Sequence, residues 1–276
     1  MSGESPRRFI HYQNNIREDT NNLDKKRKRK LKFPNLPNIE IPQPRILDKN
    51  KLNLSNVTLV IVDCVDIDRC VIPINKSIEN IAFNDVVLIT SIRKHIDINA
   101  NVKYIDKLNN TNDYSKFIIK NLTNYVNTDF VLITQWDGYV VNYNKWTDKF
   151  LKYDYIGAPI KSGKSAIVGN GGFSLRSKKL LDFCKLHGDY MINHSLKSTK
   201  KLNEDIVLIQ HHKRYLSNHH FVIAPLKLAQ QFSSEYTDYN GEFGWHGARK
   251  LWKEYHVPGI VMRTNPYIKH KVQSGK

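Results

Sequence analysis

The sequence predicts an α/β fold with a mainly parallel, doubly wound sheet. Three short runs rich in branched apolar residues, at 57–64, 85–91 and 129–135, are typical of strands that are covered on both faces. Segments with helical spacing lie between them, at 75–83 and 113–126. This β-α-β-α-β order favours parallel strands joined by helices, and ligands of such sheets bind at the carboxyl ends of the strands.

Further elements are expected in chain order. The helix over 113–126 places four apolar side chains on one stripe: Phe117, Ile118, Leu122 and Tyr125. A short helix and then a strand are predicted over 146–160, and Ser174 or Ser177 is suited to cap a helix over 178–186. A helix is predicted over 206–216 and a strand over 221–225.

Composition excludes disorder of the whole chain. The 276 residues are 40% hydrophobic and 11% aromatic, as in ordinary globular proteins. No apolar stretch approaches the roughly 18 to 20 residues of a membrane span, and the N-terminus lacks the apolar centre of a signal peptide. Three irregularly spaced cysteines, Cys64, Cys70 and Cys184, suit a reducing compartment. We therefore expect an unsecreted protein without a transmembrane segment, cytoplasmic or peripheral to a membrane.

The formal net charge of +17 is concentrated at the two ends of the chain. Residues 1–50 hold 12 basic and 6 acidic side chains, and residues 241–276 hold 7 and 2. Seven of the eight residues from Lys25 to Lys32 are positive, and a proline-rich stretch follows. We expect a flexible basic arm over 1–51, a folded domain over 52–262 and a basic tail over 263–276. The arm is open to several roles: a nuclear address, a nucleic-acid or membrane tether, or a solvated tail.

Candidate site residues follow the third predicted strand. Gln135, Trp136 and Asp137 leave the strand end, and Gly138 permits a sharp turn. The oxygen atoms of an Asp in this place can bind a divalent cation such as Mg²⁺ or Mn²⁺. The alternative is an ordinary turn or cap residue.

Three other segments carry candidate chemistry. Glycines at 169, 171 and 172 would let the backbone approach a ligand closely, but the spacing is not that of a dinucleotide fingerprint. Glu204 and Asp205 open a predicted helix, either as capping residues or as a general base and its neighbour. His246 lies between glycines, where a packed or surface histidine is the alternative to a ligand.

Taken in order, these four features resemble the site layout of GT-A glycosyltransferases: a metal-binding DxD motif, a glycine-rich loop, an xED motif and a late histidine. More narrowly, five blocks resemble the DUF5672 family of predicted glycosyltransferases: QWDGYV, W-x-x-x-F-L-x-Y-D-Y-I-G-A-P, VGNGGFSLRS, NED and FGWHG. The resemblance covers roughly residues 57–247. It implies a GT-A-like single domain that moves a sugar from a nucleotide-diphosphate donor to an acceptor hydroxyl.

The resemblance also implies roles for individual residues. Asp137 and His246 would hold Mn²⁺ or Mg²⁺ against the diphosphate of a UDP- or GDP-sugar, and Asp205 would be the catalytic base, with Glu204 supporting it or contacting the acceptor. A base in this place implies inversion at the sugar. The donor would be lined by seven residues: Val62, Asp63, Gln135, Trp136, Gly171, Gly172 and Phe173.

One position departs from the GT-A pattern, because Gln135 stands where the first Asp of DxD is expected. A neutral amide supplies less charge to a cation, so a basic group, Lys161, Lys164 or Arg176, could assist the diphosphate. Two other functions compete with the enzyme: a nucleic-acid-binding protein acting through Lys25–Lys32, and an inactive GT-A-like scaffold that binds glycan or nucleotide. The acceptor could be a glycan, a protein or another hydroxyl compound.

Overall fold

A computed structural model describes residues 50–162, 165–235 and 239–247. The strands are β1 Leu52–Val62, β2 Ile81–Thr90, β3 Asn101–Tyr104, β4 Phe130–Thr134, β5 Gly138–Val140, β6 Tyr155–Gly157, β7 Pro159–Ser162, β8 Ser165–Val168, β9 Phe173–Ser177, β10 Ser233–Ser234 and β11 Gly244–His246. The α-helices are α1 Val71–Ile78, α2 Thr111–Lys120, α3 Lys178–Leu196, α4 Glu204–Ile206, α5 Lys213–Asn218 and α6 Leu226–Phe232. A π-helical segment, Val207–His211, continues α4, and short 3₁₀ turns include Ile67–Cys70, Leu122–Tyr125 and Asp148–Lys152.

The central sheet has six strands in the order β3-β2-β1-β4-β9-β6. The first four run parallel to one another, and β9 runs antiparallel to β4 and β6. The predicted α/β class with a mainly parallel sheet is therefore confirmed. Because β9 is reversed, its first residue, Phe173, pairs with the last residue of β4, Thr134. The loop that precedes β9 thus reaches the same sheet edge as the loop that follows β4.

Both faces of this sheet are buried, which explains the branched apolar runs. Along β1, Leu59 and Ile61 pack into one hydrophobic cluster, while Val60 and Val62 pack into a second one. Successive side chains of a strand point to opposite faces, so a strand covered on both sides is apolar at every position.

A three-stranded sheet of β10, β11 and β5 lies after the carboxyl end of β4. β11 pairs antiparallel with β5, with His246 opposite Gly138, and parallel with β10. Residues near 246 are thereby brought beside the loop that follows β4, more than a hundred positions earlier in the chain.

Two of the predicted elements are wrong. The helix expected over 75–83 is α1, which ends at Ile78, and residues 81–83 instead begin β2, where Ile81 and Phe83 pair with Leu52 and Leu54 of β1. The strand expected over 221–225 is reduced to one bridge between Tyr155 and Ile223. Ser177 caps α3 as predicted, its hydroxyl accepting the N–H of Leu180 at 3.2 Å.

Several expectations lie outside the described residues. They are the basic arm up to residue 49, including Lys25–Lys32, the residues 248–262 of the predicted domain, the tail over 263–276 and Lys164. Within the described ranges no helix combines the length and the apolar character that crossing a membrane requires.

Candidate active site

The carboxylate of Asp137 faces the imidazole ring of His246. The backbone supports this meeting, because the N–H of Gly247 donates to the carbonyl of Asp137 at 2.9 Å. His246 Nε2 lies 3.3 Å from Asp137 Oδ1 and 3.2 Å from Gln135 Oε1. Three side chains predicted from the sequence therefore converge on one point.

A second carboxylate, Glu235, lies on the other side of the same ring. Its Oε1 is 3.2 Å from His246 Nδ1, and the amide nitrogen of Asn170 is 3.0 Å from the same atom. Burial lowers the pKa of His246, but hydrogen bonds to Asp137 and Glu235 and the charges of these carboxylates outweigh it and raise the pKa to about 10. Sequence reasoning missed Glu235, which belongs to no motif.

The glycine loop packs against both acidic parts of the site. A Cβ atom added at Gly172 would collide with the ring of His246, and one added at Gly171 would collide with the carboxylate of Glu204. The carbonyl of Gly172 accepts the N–H of Gln135 at 2.9 Å. Asn170 adopts a positive φ of 52°, a conformation that asparagine tolerates. The glycines are thus needed for close packing against His246 and Glu204, while the close approach of this loop to a ligand stays a prediction.

Asp205 joins the start of α4 to this loop. Its Oδ2 accepts the N–H of Gly171 at 3.2 Å, and its Oδ1 accepts the N–H of Ile206 at 2.8 Å. Burial raises the pKa of Asp205, and the charge of neighbouring Glu204 raises it further, to about 6. A carboxylate with such a pKa is suited to take up a proton near neutral pH.

Glu204 is held by Arg176 below the loop. Arg176 Nη2 donates to Glu204 Oε1 at 3.0 Å, and Arg176 Nε donates to the hydroxyl of Ser174 at 3.1 Å. The side chain of Arg176 is only 1% exposed. The expectation that Arg176 assists a diphosphate is therefore wrong, because its charge is engaged under the site. The side chain of Lys161 lies outside the described part of the chain.

A cavity of about 470 Å³ opens between these groups. This volume is in the range of small-molecule sites. Its walls are formed by Thr111, Tyr114, Gln135, Ile160, Asn170, Gly171, Gly172, Asn203, Glu204, Asp205, Ile206, Glu235 and His246. Six of the eleven predicted site residues are in that set: Gln135, Gly171, Gly172, Glu204, Asp205 and His246.

The other five, Asp137 and four predicted donor-binding residues, lie outside the cavity wall. Val62 packs in the second hydrophobic cluster, and Phe173 is fully buried among aromatic rings. Asp63 accepts the N–H groups of Val65 and Asp66 and, at 2.6 Å, the Nε of Arg69. The guanidinium of Arg69 in turn lies 4.9 Å from the centre of the Trp136 ring. Asp63 thus fixes the loop after β1.

The residues around Asp137 fit a divalent cation that is shared with a ligand. They offer a carboxylate oxygen from Asp137, an amide oxygen from Gln135 and, once a cation replaces its proton, the Nε2 nitrogen of His246. Among the described residues, no group of three or more His, Cys, Asp or Glu side chains could enclose a cation. Mg²⁺ is commonly bound by one or two carboxylates together with substrate phosphates and water, and this donor set suits that mode.

Comparison with known proteins gives one family match. The model of the family described as "Protein of unknown function (DUF5672)" matches residues 99–246. A comparison with curated proteins gave no match.

Solved structures that align with this chain include two glycosyltransferases. The apo form of GlyE from Streptococcus pneumoniae TIGR4 is 13% identical with a TM-score of 0.44, and the alignment covers 72% of this chain and 57% of GlyE. The mannosyltransferase PcManGT from Pyrobaculum calidifontis, solved with GDP-Man and Mn²⁺, is 11% identical with a TM-score of 0.33 and 46% coverage of each chain. This chain thus spans a little over half the length of GlyE.

Proposed function

This chain belongs to the DUF5672 family, and we propose that it is a glycosyltransferase that moves a sugar from a nucleotide-diphosphate donor to an acceptor hydroxyl. In this proposal the folded domain over 52–262 carries the activity, and a UDP- or GDP-sugar is the donor. The acceptor is a hydroxyl group of a glycan, a protein or another compound.

The observation that carries the proposal is the convergence of four separate segments on one cavity. They are the loop after β4 with Gln135, the glycine loop with Gly172, the start of α4 with Asp205, and β11 with His246. Asp205, the candidate general base, and His246, a candidate cation ligand, thus line the same cavity. The cavity lies at the carboxyl edge of the parallel strands, where ligands of such sheets bind.

Asp205 serves as the general base in this mechanism. Its carboxylate takes the proton of the acceptor hydroxyl, and the hydroxyl oxygen attacks the anomeric carbon as the bond from that carbon to the diphosphate oxygen breaks. The nucleoside diphosphate leaves with the bonding electron pair. Direct displacement of this kind inverts the configuration of the sugar. Glu204, fixed by Arg176, keeps negative charge beside Asp205 and so maintains its raised pKa.

Asp137 and His246 are the residues that would hold Mn²⁺ or Mg²⁺, and the cation would supply positive charge to the departing diphosphate. The amide oxygen of Gln135 adds a neutral donor on the same side. Gly171 and Gly172 provide the close backbone approach along which the donor lies. Val62, Asp63, Trp136 and Phe173, which were predicted to bind the donor, do not line the cavity.

The test is a panel of UDP- and GDP-sugars, assayed for binding, hydrolysis and transfer with Mn²⁺ present. Wild-type protein is compared with Asp137→Ala, Asp205→Ala and His246→Ala. We expect nucleotide-sugar binding that requires Asp137 and His246, and turnover that falls by about 10²–10⁴-fold in Asp205→Ala. Absence of binding to every nucleotide sugar with metal present would show the proposal to be wrong. Binding without turnover on any acceptor would indicate the inactive scaffold instead.

A further inference from the structure

Glu235 lies on the opposite side of the His246 ring from Asp137. Its Oε1 is 3.2 Å from Nδ1, whereas Asp137 Oδ1 is 3.3 Å from Nε2. We propose that Glu235 is a positioning residue: it holds a proton on Nδ1 of His246, so that Nε2, which faces Asp137, is the nitrogen at which a divalent cation takes the place of a proton. This inference rests on the proposed function, since it assigns a role within the same site.

The surroundings of Glu235 point to His246 as the group that it serves. Its side chain is 14% exposed, and a buried carboxylate is costly unless a partner compensates its charge. Its second oxygen, Oε2, is buried and has no hydrogen-bond partner among the described residues. Within those residues the ion pair of Glu235 is made with His246. The contact with the His246 ring therefore explains why a carboxylate is buried at position 235.

Asn170 is the competing neighbour of Nδ1. Its Oδ1 accepts the N–H of Phe173 at 2.9 Å, so that its amide nitrogen, a donor, faces Nδ1 at 3.0 Å. If Asn170 were the sole partner, Nδ1 would act as acceptor and the proton of a neutral ring would move to Nε2. Nε2 would then have no lone pair to offer.

Glu235 gives Nδ1 an acceptor, so Nδ1 can keep its proton when a cation replaces the proton that Nε2 shares with the oxygens of Asp137 and Gln135. The hydrogen bond made by one ring nitrogen decides whether the other can bind a metal. Histidine ligands commonly donate their second N–H to a carboxylate or a carbonyl, and loss of that partner typically lowers metal affinity by about 10–100-fold. We expect an effect of that size here.

The first measurement is Mn²⁺ affinity in the presence of UDP or GDP, followed by the decline of the free Mn²⁺ EPR signal. Glu235→Gln keeps the shape of the side chain but removes its charge, and Glu235→Ala removes the acceptor. We expect affinity for Mn²⁺ to fall by about 10-fold for the former and up to about 100-fold for the latter. Glu79→Gln is the matched control, because Glu79 is an exposed carboxylate whose partner, Lys76, is also exposed.

The second measurement distinguishes positioning from a general loss of structure. Protein labelled with ¹⁵N-histidine is loaded with Mn²⁺ and UDP, and pulsed EPR detects coupling between the cation and a histidine nitrogen. Wild-type protein and Glu79→Gln should show the coupling, His246→Ala should lack it, and Glu235→Ala should lose it while Mn²⁺ at saturating concentration still binds. Unchanged thermal unfolding of Glu235→Gln establishes that the variant is folded.

The outcomes separate this inference from the proposed function. Failure of wild-type protein to bind Mn²⁺ with either nucleotide would overturn both. Binding by wild-type protein that is lost in His246→Ala but unchanged in both Glu235 variants would overturn the positioning role alone. Loss of affinity together with loss of the nitrogen coupling in Glu235→Ala would support it.

Discussion

Arg176 and Glu204 form a buried ion pair, 3.0 Å between Nη2 and Oε1, directly under the glycine loop of the cavity. Their side chains are 1% and 8% exposed. Because Arg176 lies in β9 and Glu204 begins α4, the pair joins the central sheet to the start of α4. It also packs against the glycine loop, because a Cβ atom added at Gly171 would collide with the carboxylate of Glu204 and lie 3.1 Å from Arg176 Nη2.

Loss of Arg176 alone should destabilise the protein strongly. Arg176→Met leaves the carboxylate of Glu204 buried without its partner, which typically costs about 3–5 kcal/mol of unfolding free energy. The double variant Arg176→Met/Glu204→Leu should recover much of that loss, since no charge remains buried. Urea unfolding measures all three proteins. Lys76→Met, which removes an exposed pair, should change stability by less than about 1 kcal/mol, and an equal effect at both sites would contradict the prediction.

Substitution of Gly172 should damage the site more than the fold. The Cβ of Gly172→Ala would overlap the ring of His246, which the pairing of β11 with β5 holds in place. We expect Mn²⁺-dependent nucleotide binding to fall by at least about tenfold, as for loss of a supporting contact at a metal site. Calorimetric titration with UDP and Mn²⁺ measures it.

Gly241 supplies the control for this substitution. It has a φ of +90°, but a Cβ there would meet no atom of the described residues within 4 Å. Gly241→Ala should therefore cost about 1 kcal/mol of stability through backbone strain and leave nucleotide binding intact. Equal loss of binding in both variants would attribute the effect to strain rather than to displacement of His246.

The rate of sugar transfer should depend on pH through Asp205. A general base works only when it is ionised, and the pKa of Asp205 is raised to about 6 by burial and by the charge of Glu204. We therefore expect kcat/KM to rise with pH through about 6 and to level off above it. Rate measurements from pH 4.5 to 8.5 give the profile. In Asp205→Glu the pH at which kcat/KM rises should shift. An unshifted rise would assign the titration to another group.

Asp205 should also limit stability above pH 6. Its pKa in the folded protein is higher than the ordinary value of 3.8, so its ionised form favours the unfolded state. The loss of stability develops as pH rises from about 4 to about 6 and is complete above that. Asp205→Asn should then be more stable than wild-type protein at pH 7.5, by about 1–2 kcal/mol, with little difference near pH 4. Thermal unfolding at the two pH values checks both signs.

Asp63 is the useful contrast to that variant. Its carboxylate accepts two backbone N–H groups and pairs with Arg69 at 2.6 Å. Asp63→Asn removes the charge from those contacts and should destabilise by about 1–3 kcal/mol. A gain in stability at position 63, or a loss at position 205, would show that the two carboxylates have been assigned the wrong roles.

Cation and nucleotide should bind cooperatively. The described residues offer too few ligands to enclose a cation without help, so Mn²⁺ and the diphosphate each complete the site for the other. Affinity for Mn²⁺ should rise when UDP or GDP is added, and affinity for the nucleotide should rise by the same factor when Mn²⁺ is added. Titrations in both orders, with EDTA as the metal-free reference, test this reciprocity. Tight binding of Mn²⁺ to the protein alone would contradict it.

The strands were predictable from the sequence because burial on both faces of the sheet requires apolar residues at successive positions. In β1 the adjacent residues Leu59 and Val60 enter different clusters, and the stretch 59–62 is apolar throughout. The end of the helix predicted over 75–83 is wrong, because residues 79–83 continue the helical spacing but Ile81 and Phe83 pair with β1. Tertiary pairing there overrides a local pattern.

The candidate site was predictable only where motifs mark it. Asp137, Gly172, Asp205 and His246 stand in recognisable blocks, but Glu235 does not. Its place beside His246 follows from the parallel pairing of Ser233 with Gly244 and Ser234 with Trp245, which brings the next residues together. No sequence pattern encodes that two-residue strand. The role of Arg176 was equally hard to predict, because only packing decides whether a basic side chain after the glycines points toward solvent or into the core.

The strand that carries His246 also sets an order of assembly. All six strands of the central sheet are complete by Ser177, whereas β11 begins at Gly244 and joins a different sheet. A chain that leaves the ribosome from its N-terminus therefore has every strand of its central sheet well before the cavity has its last wall. Contacts such as that of Gln135 with His246 close a loop of 111 residues at a large entropic cost, so we expect them to form late in folding. A chain with an intact central sheet but without β11 in place should be inactive, so recovery of the sheet on refolding should precede recovery of ligand binding.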